Sequence, residues 1–374
     1  MTTRERVYRR QGPAAVAFLS EVTIVMISIY LPYRAFELGA GAWLAGLVGA
    51  SGSVVYMFAP FLAGRLSDRF GPKRLLLLGS LMISLLCLSY TFVTVPAAFV
   101  GLRLLEGIGW AMIWPPLEAL YSTSGPNLSG SLKMFNLSWG LGSVAAPILG
   151  SLIVTASSVD WTLLVSAGLM AVVVVICLGL GGGRPSHAVH PEPGAARIGF
   201  RKSVVLLSNT FVYGFTITTI STFFPKYAAS LDLGVALWGI TLSAIYAGRL
   251  LAFFFSERVI SAMGTARTRT VFLAVSMCFP ICAVLLGSNV YALTAASLVT
   301  GAAFGLVYSS TLVSVLSGPT EGRGRAAGLF ESSLGLGSFV GPALAGSVAG
   351  SGLWLTMALP LAPATVVLVS DMAS

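Results

Sequence analysis

Long apolar stretches alternate with short breaks rich in charge, glycine and proline along the whole chain. Dividing the pattern at those breaks predicts twelve helices, over residues 13 to 36, 42 to 63, 75 to 94, 97 to 120, 132 to 155, 162 to 180, 203 to 229, 237 to 255, 271 to 287, 291 to 316, 327 to 349 and 353 to 370. Each is near the ~20 residues that carry a helix across a ~30 Å hydrocarbon core. Barrel strands would alternate polar and apolar positions and would not leave such unbroken runs. Connections as short as Val95-Pro96 and Ser288-Asn289 make their neighbours antiparallel hairpins. The expected fold class is an all-α polytopic membrane protein with twelve transmembrane helices.

Composition agrees: 56% of the residues are hydrophobic and 9% charged, against ~25% charged in an average soluble domain. A net charge of +9 could attract nucleic acid. The basic residues, however, sit in short clusters between apolar runs, as membrane-surface anchors do, so the expected partner is the lipid bilayer and not nucleic acid. An even number of spans places both termini on one side. Eighteen of the twenty-two Lys and Arg residues fall on that side, among them Arg4, Arg9, Arg65, Arg69, Lys73, Arg74, Arg201, Arg267 and Arg325. Positive charge collects inside, so the termini are expected in the cytoplasm and the protein in the cell (inner) membrane. The run after the arginine-rich start is too long for a signal peptide and reads as an uncleaved first span.

Cys87, Cys177, Cys278 and Cys282 all lie in apolar runs and read as free buried thiols. His187 and His190 lie in a Pro- and Gly-rich loop, and no metal site is expected. The chain carries no H-E-x-x-H, G-x-S-x-G or P-loop, so no enzyme chemistry and no cofactor are expected.

Residues 181 to 202 form the longest connection, opening with Gly181-Gly182-Gly183-Arg184-Pro185, and read as a cytoplasmic linker between residues 1 to 180 and 203 to 374. The two parts repeat. Glu37-Leu38-Gly39 with Trp43 recurs as Asp232-Leu233-Gly234 with Trp238, 195 residues later. At the same offset Ser138, Gly140, Gly142, Ser143 and Pro147 return as Ser333, Gly335, Gly337, Ser338 and Pro342. Ser67-Asp68-Arg69 has a worn echo in Ser256-Glu257-Arg258, at offset 189.

Two six-span halves, a linker and the turn Gly64, Asp68, Arg69, Gly71, Lys73, Arg74 between spans two and three together resemble the major facilitator superfamily of secondary transporters. The family's G-x-x-x-D-R-x-G pattern is matched here, with Pro72 displacing the following basic pair by one position. The resemblance covers essentially the whole chain. It implies two pseudo-symmetric six-helix bundles around a midplane cavity that opens alternately to each side. It also implies that Asp68 and Arg69 latch the halves on the cytoplasmic face in the outward-open state. Independently, an aspartate at a helix C-terminus faces the negative end of the macrodipole and needs a partner. Glu331, at the start of span eleven, is a candidate charge opposite Arg69 or Arg65.

Arg103-Leu104-Leu105-Glu106-Gly107-Ile108-Gly109 looks like the family's R-x-x-Q-G-x-G pattern, with glutamate in place of glutamine. The resemblance links Arg103 to proton coupling; the other reading is a neutral pair of Arg103 with Glu106, three residues apart. Arg103, Glu106, Trp110, Trp114 and Glu118 share one helical face. A charge in mid-span costs at least ~2.5 kcal/mol, so such groups face a cavity or one another. Glu21 in span one is a candidate proton carrier or a static partner of another helix. Gly142, Pro147 and Gly150 approximate a G-x-x-x-G-P-x-x-G antiporter pattern, fuller at Gly337, Gly341 and Pro342, where small residues also serve tight helix packing.

Arg249 with Tyr246 is the cavity cation of the second half, and Asn209 and Tyr213 of span seven with Asn136 and Trp139 of span five are candidate cavity-lining groups. The expected function is proton-coupled export of small organic molecules by a monomeric carrier. Glu21 and Glu106 would exchange protons while Trp110 and Trp139 hold an amphipathic substrate. Two alternatives stand beside it: an organic-anion or monocarboxylate transporter using Arg249 as carboxylate ligand, and a non-transporting sensor on the same fold.

Overall fold

The computed structural model describes residues 3–123, 128–180, 200–316 and 323–372 and is helical throughout those ranges, without strands. Sixteen α-helices follow one another: α1 (Thr3–Glu37), α2 (Ala42–Tyr56), α3 (Ala59–Phe70), α4 (Pro72–Phe92), α5 (Pro96–Ala111), α6 (Trp114–Thr123), α7 (Leu128–Ala156), α8 (Val159–Gly179), α9 (Phe200–Ser230), α10 (Val235–Met263), α11 (Thr265–Val275), α12 (Cys278–Leu285), α13 (Val290–Leu316), α14 (Arg323–Val348), α15 (Leu353–Ala358) and α16 (Leu361–Met372). They make twelve spans, because α2–α3, α5–α6, α11–α12 and α15–α16 are each one span with a break. Eleven of the spans contain a stretch long and apolar enough to cross a membrane, and α2, at fifteen residues, is shorter.

The four breaks were not anticipated, yet they share a cause. Proline has no N–H to donate and its ring crowds the carbonyl four residues back. Pro60, Pro115, Pro280 and Pro363 each follow the end of a broken segment by four or five residues. Several helices also run past their apolar stretch: α10 continues to Met263 and α7 starts at Leu128. Backbone hydrogen bonding does not stop where the hydrocarbon stops, so the apolar run marks bilayer thickness and not helix length. Most of the expected linker, residues 181 to 199, lies outside the described residues.

The packing repeats as the sequence repeats. In the first half α1 packs on α7 and α8, α2 on α5, and α4 on α8; in the second, α9 packs on α14 and α15, α10 on α13, and α11 on α16. Gly142 of α7 lets that helix close on α1, where a Cβ would stand 2.6 Å from the Phe18 carbonyl oxygen and 3.0 Å from Cβ of Glu21. Gly337 of α14 meets the Phe211 carbonyl of α9 in the same way, and Gly341 follows one turn on against Phe215. Gly150 makes room for the Tyr30 ring, whose hydroxyl donates to the Pro147 carbonyl at 2.7 Å.

The structure corrects the register of the repeat at the first turns. Gly71 (φ 87°, ψ 143°) closes α3 and Gly264 (φ 78°, ψ 157°) closes α10, both in the left-handed region where a side chain is strained. These counterparts are 193 residues apart. Gly39 and Asp232, the positive-φ residues of the preceding turns, are also 193 apart. Ser256-Glu257-Arg258 therefore sits about one turn too early in α10 to mirror Ser67-Asp68-Arg69. Trp43 and Trp238 are not equivalent either: Trp43 is 59% exposed, whereas Trp238 is buried against Tyr30 and Tyr33.

The halves meet through α2 on α14, α7 on α10 and α1 on α9. At the end opposite the charged turn, Gly46 lies under Pro342 and Phe36 stacks edge-on with Phe223. The join continues through Ser243 Oγ, which donates to the Val144 carbonyl at 2.6 Å, to Trp139 against Phe253 and Ser332 against the Met57 carbonyl near mid-span. One hydrophobic core runs across it, from Val22, Met26 and Ile29 to Ile220, Phe223 and Leu242. At the charged-turn end α3 packs on α4, α5 and α6 of its own half.

Candidate functional site

Where α7 crosses α10 the polar groups of both halves converge. Arg249, 8% exposed, donates from Nη1 to the Tyr213 hydroxyl at 2.7 Å and from Nη2 to Ser143 Oγ at 2.8 Å. Ser143 Oγ in turn lies 2.5 Å from Glu21 Oε1 and 3.2 Å from the Trp139 carbonyl. The guanidinium carbon stands 4.6 Å from the centroid of the Trp139 ring and 5.1 Å from that of Tyr246, whose hydroxyl is 3.2 Å from Ser221 Oγ. Glu21 of the first half is thus joined to Arg249 of the second through one serine hydroxyl.

Elementary hydrogen-bond chemistry orients the chain of contacts. Arginine only donates, so Ser143 must accept from Arg249 and its single hydrogen is free for Glu21 or for the Trp139 carbonyl. An ionised carboxylate is the stronger acceptor, and the result is a charge-assisted link between opposite charges. Arg249 Nε is buried without a hydrogen-bond partner among the described residues. Glu21, Tyr213, Trp139, Tyr246 and Arg249 were expected from sequence around one cavity, and the fold brings them together. Ser143 was visible only as a repeat position, although it lies one helical turn from Trp139.

Arg103, Glu106 and Trp110 form a separate, closed cluster inside the first half. Arg103 Nη1 lies 2.5 Å from Glu106 Oε1, and Arg103 Nε donates to the Val48 carbonyl at 3.2 Å. Trp110 Nε1 donates to the same carboxylate at 2.7 Å, and Tyr90 donates to its other oxygen. Glu106 has no exposed surface, and Arg103 and Trp110 are 5% and 3% exposed. Packing between α2, α4 and α5 thus commits Trp110 to the carboxylate and away from the join where it was expected to hold substrate. Asn209 is likewise committed elsewhere: its Nδ2 donates to the Val205 carbonyl at 2.9 Å and lies 3.3 Å from Asp371 Oδ2, which also pairs with Arg269. Asn136 is exposed, with its Oδ1 3.2 Å from Trp139 Nε1.

In the charged turn, Lys73 Nζ caps the end of α8, donating to the Leu178 carbonyl at 2.9 Å and to that of Leu180. Arg69 and Arg74 are exposed, with the Arg69 guanidinium over the Phe70 ring. The surroundings of Gly64, Arg65 and Asp68 lie outside the described residues. Among the described residues Arg69 and Glu331 do not pair. Glu331 instead lies within electrostatic reach of Glu118, Tyr56 and Tyr308, where α14 packs on α2 and α13. The four cysteines are free thiols, Cys87 and Cys177 buried and Cys278 and Cys282 half-buried.

Known proteins place this arrangement. Multidrug resistance protein MdtG of Salmonella typhimurium strain LT2 is 24% identical over 179 residues, 45% of this chain and 44% of that protein. MdtG of Escherichia fergusonii is 25% identical over 162 residues, 40% of each. The chain therefore matches less than half the length of these relatives. Among solved structures, the nucleoside transporter NupG superposes with a TM-score of 0.81 at 16% identity, covering 98% of this chain and 98% of that one. The POT family transporter PepTSo superposes with a TM-score of 0.80 at 14% identity, covering 100% and 98%. At such identities the likeness establishes the fold. The family model described as Major Facilitator Superfamily matches residues 14–342, which takes in every helix of the join and the charged turn. A multi-pass helical membrane protein with this repeat, this turn and this match belongs to the Major Facilitator Superfamily of transporters.

Proposed function

We propose that the protein is a proton-coupled secondary transporter that exports small organic molecules across the cell membrane by alternating access. Residues 1–180 and 203–374 are the two moving halves, with both termini and the charged turn in the cytoplasm. The observation that carries the reading is the link from Glu21 through Ser143 to Arg249, which sets a carboxylate of one half against a cation of the other at mid-span. A carboxylate there can take up and release a proton as the halves part and rejoin, and Trp139 with Tyr246 offers aromatic surface to an amphipathic molecule. Export is supported by the relatives named for multidrug resistance. On this reading, halves joined from the outer end to mid-span are in the inward-facing state. The latch of Asp68 and Arg69 belongs to the opposite one.

The test is flux in everted membrane vesicles, with a pH gradient imposed and ethidium, norfloxacin and fluorescein as cationic, zwitterionic and anionic probes. Gradient-driven accumulation of a probe by the wild type and its loss in Glu21→Gln are expected. Retained gradient-driven transport in Glu21→Gln would overturn the assignment.

A second reading rests on the partnerless Arg249 Nε: an organic anion could take the place of the Ser143 link on the guanidinium. It predicts that fluorescein is the probe carried and that Arg249→Lys, which cannot present the same planar fork, no longer binds it. Undiminished fluorescein binding by Arg249→Lys would exclude this reading.

A further inference from the structure

We infer that Ser143 is the coupling residue of the carrier: its hydroxyl holds the empty, ionised protein in the inward-facing state and so prevents it from returning protons without substrate. The inference rests on the proton-coupled reading above. An exporter driven by protons must switch when it carries substrate or when it carries a proton, and must not switch when it carries neither, or the gradient is dissipated. Something must therefore recognise the state that is both empty and ionised.

The Ser143 hydroxyl is placed to do so. Its oxygen accepts from Arg249 Nη2 at 2.8 Å, across the join of the halves, and its hydrogen is donated to Glu21 Oε1 at 2.5 Å within its own half. The link is strongest when Glu21 is ionised, because the carboxylate is then the better acceptor and opposite charges stand at the two ends of one hydroxyl. Once Glu21 carries a proton its carboxyl is neutral and accepts more weakly, and the Ser143 hydrogen has the Trp139 carbonyl, 3.2 Å away, as a competing acceptor. The opposite charges that held the link are then reduced to a single cation, and α10 is free to leave α7. A substrate that engages Arg249 through its partnerless Nε or its Trp139 and Tyr246 faces would release the same link.

The charged and titratable groups around Glu21 fit this role. From α10 it is faced by Arg249 and Tyr246, from α7 by Ser143, and from α2 by Tyr56 within electrostatic reach. Arg249 is the cation among these neighbours, and its approach to Glu21 runs through Ser143. Ser143 has no exposed surface, so water does not substitute for its hydroxyl in this state.

Proteoliposomes with entrapped pyranine, given a pH gradient with valinomycin and potassium and no substrate, test the inference. Wild-type protein should hold the gradient. Ser143→Ala should dissipate it about tenfold faster, the factor expected for the loss of a hydrogen bond between charged groups. Ser143→Thr, which keeps the hydroxyl, should hold it as the wild type does. Arg249→Gln breaks the same link from the other side and should leak like Ser143→Ala. Adding Glu21→Gln to Ser143→Ala should abolish the leak, because no proton is then carried.

A merely structural serine would lower probe transport without opening a proton path. A tight Ser143→Ala that still carries the probe overturns the inference, as does a leak that survives Glu21→Gln. Failure of the underlying reading is distinct: Glu21→Gln alone would keep gradient-driven probe transport.

Discussion

Trp139 on α7 and Arg249 on α10 face each other across the join of the two halves, the guanidinium carbon 4.6 Å from the centroid of the indole ring. They come from the pair of helices, one per half, that pack on each other across the join. A cation buried on an aromatic face contributes about 2 kcal/mol when desolvated. Trp139→Leu keeps the bulk and removes the ring quadrupole. Probe transport in that variant should fall by roughly tenfold or more, following that energy, while Trp139→Phe should fall less. Equal activity of Trp139→Leu and wild type would show that the stacking is incidental.

The Arg103–Glu106 cluster calls for the opposite experiment. Glu106 accepts from Arg103, Trp110 and Tyr90 and has no exposed surface, so Glu106→Gln leaves a buried guanidinium without its counter-charge. Breaking a buried pair from one side costs about 3–5 kcal/mol. Glu106→Gln should lower the melting temperature in detergent sharply, and Arg103→Met in the same chain should recover much of the loss. The pH profile of probe transport should keep its midpoint in the double variant. A displaced midpoint would give Glu106 the proton-exchanging role expected for it beside Glu21.

Gly142 and Gly337 test the repeat as packing. A methyl at Gly142 would stand 2.6 Å from the Phe18 carbonyl, and one at Gly337 2.9 Å from the Phe215 nitrogen, so Ala at either should push two helices apart. Overpacking of this kind costs roughly 1–3 kcal/mol. Gly168, which has open space around it, is the control, and Gly168→Ala should leave the melting temperature unchanged or raised. Indifference of the protein to Gly142→Ala would mean that α1 and α7 can separate at no cost.

Lys73 caps the C-terminal end of α8 through the Leu178 and Leu180 carbonyls. A cation on free helix carbonyls is worth about 1 kcal/mol, so Lys73→Met should destabilise the protein by that order in a thermal-shift assay. Arg74→Met, from an exposed neighbour, should not. An equal effect of both would point to bulk surface charge and not to the cap.

The number of spans, membrane character and the twofold repeat were legible in the sequence because they rest on local quantities. A run near twenty apolar residues has few folds open to it, and short connections force antiparallel neighbours. Glu21 and Arg249 were legible for a related reason: a charge in such a run is costly and needs company. Which company it keeps was not legible. Arg103 and Glu106, three residues apart, could have closed on each other or opened to a cavity, and the choice fell to Tyr90, whose hydroxyl reaches the carboxylate only when α4 lies against α5, where Trp110 donates to it from the next turn of the same helix.

The sequence by itself determined that the chain crosses a membrane as paired helical bundles, and it named Glu21, Arg103, Glu106 and Arg249 as charges within the spans. The tertiary structure alone decided that Glu21, Ser143 and Arg249 form one link between the halves while Arg103, Glu106 and Trp110 close on themselves. It also moved the counterpart of the charged turn to Gly264. The physical reason is the same in each case. Burial in hydrocarbon is read from a single helix, whereas the partner of a buried charge is a matter of which helices touch, and at what height.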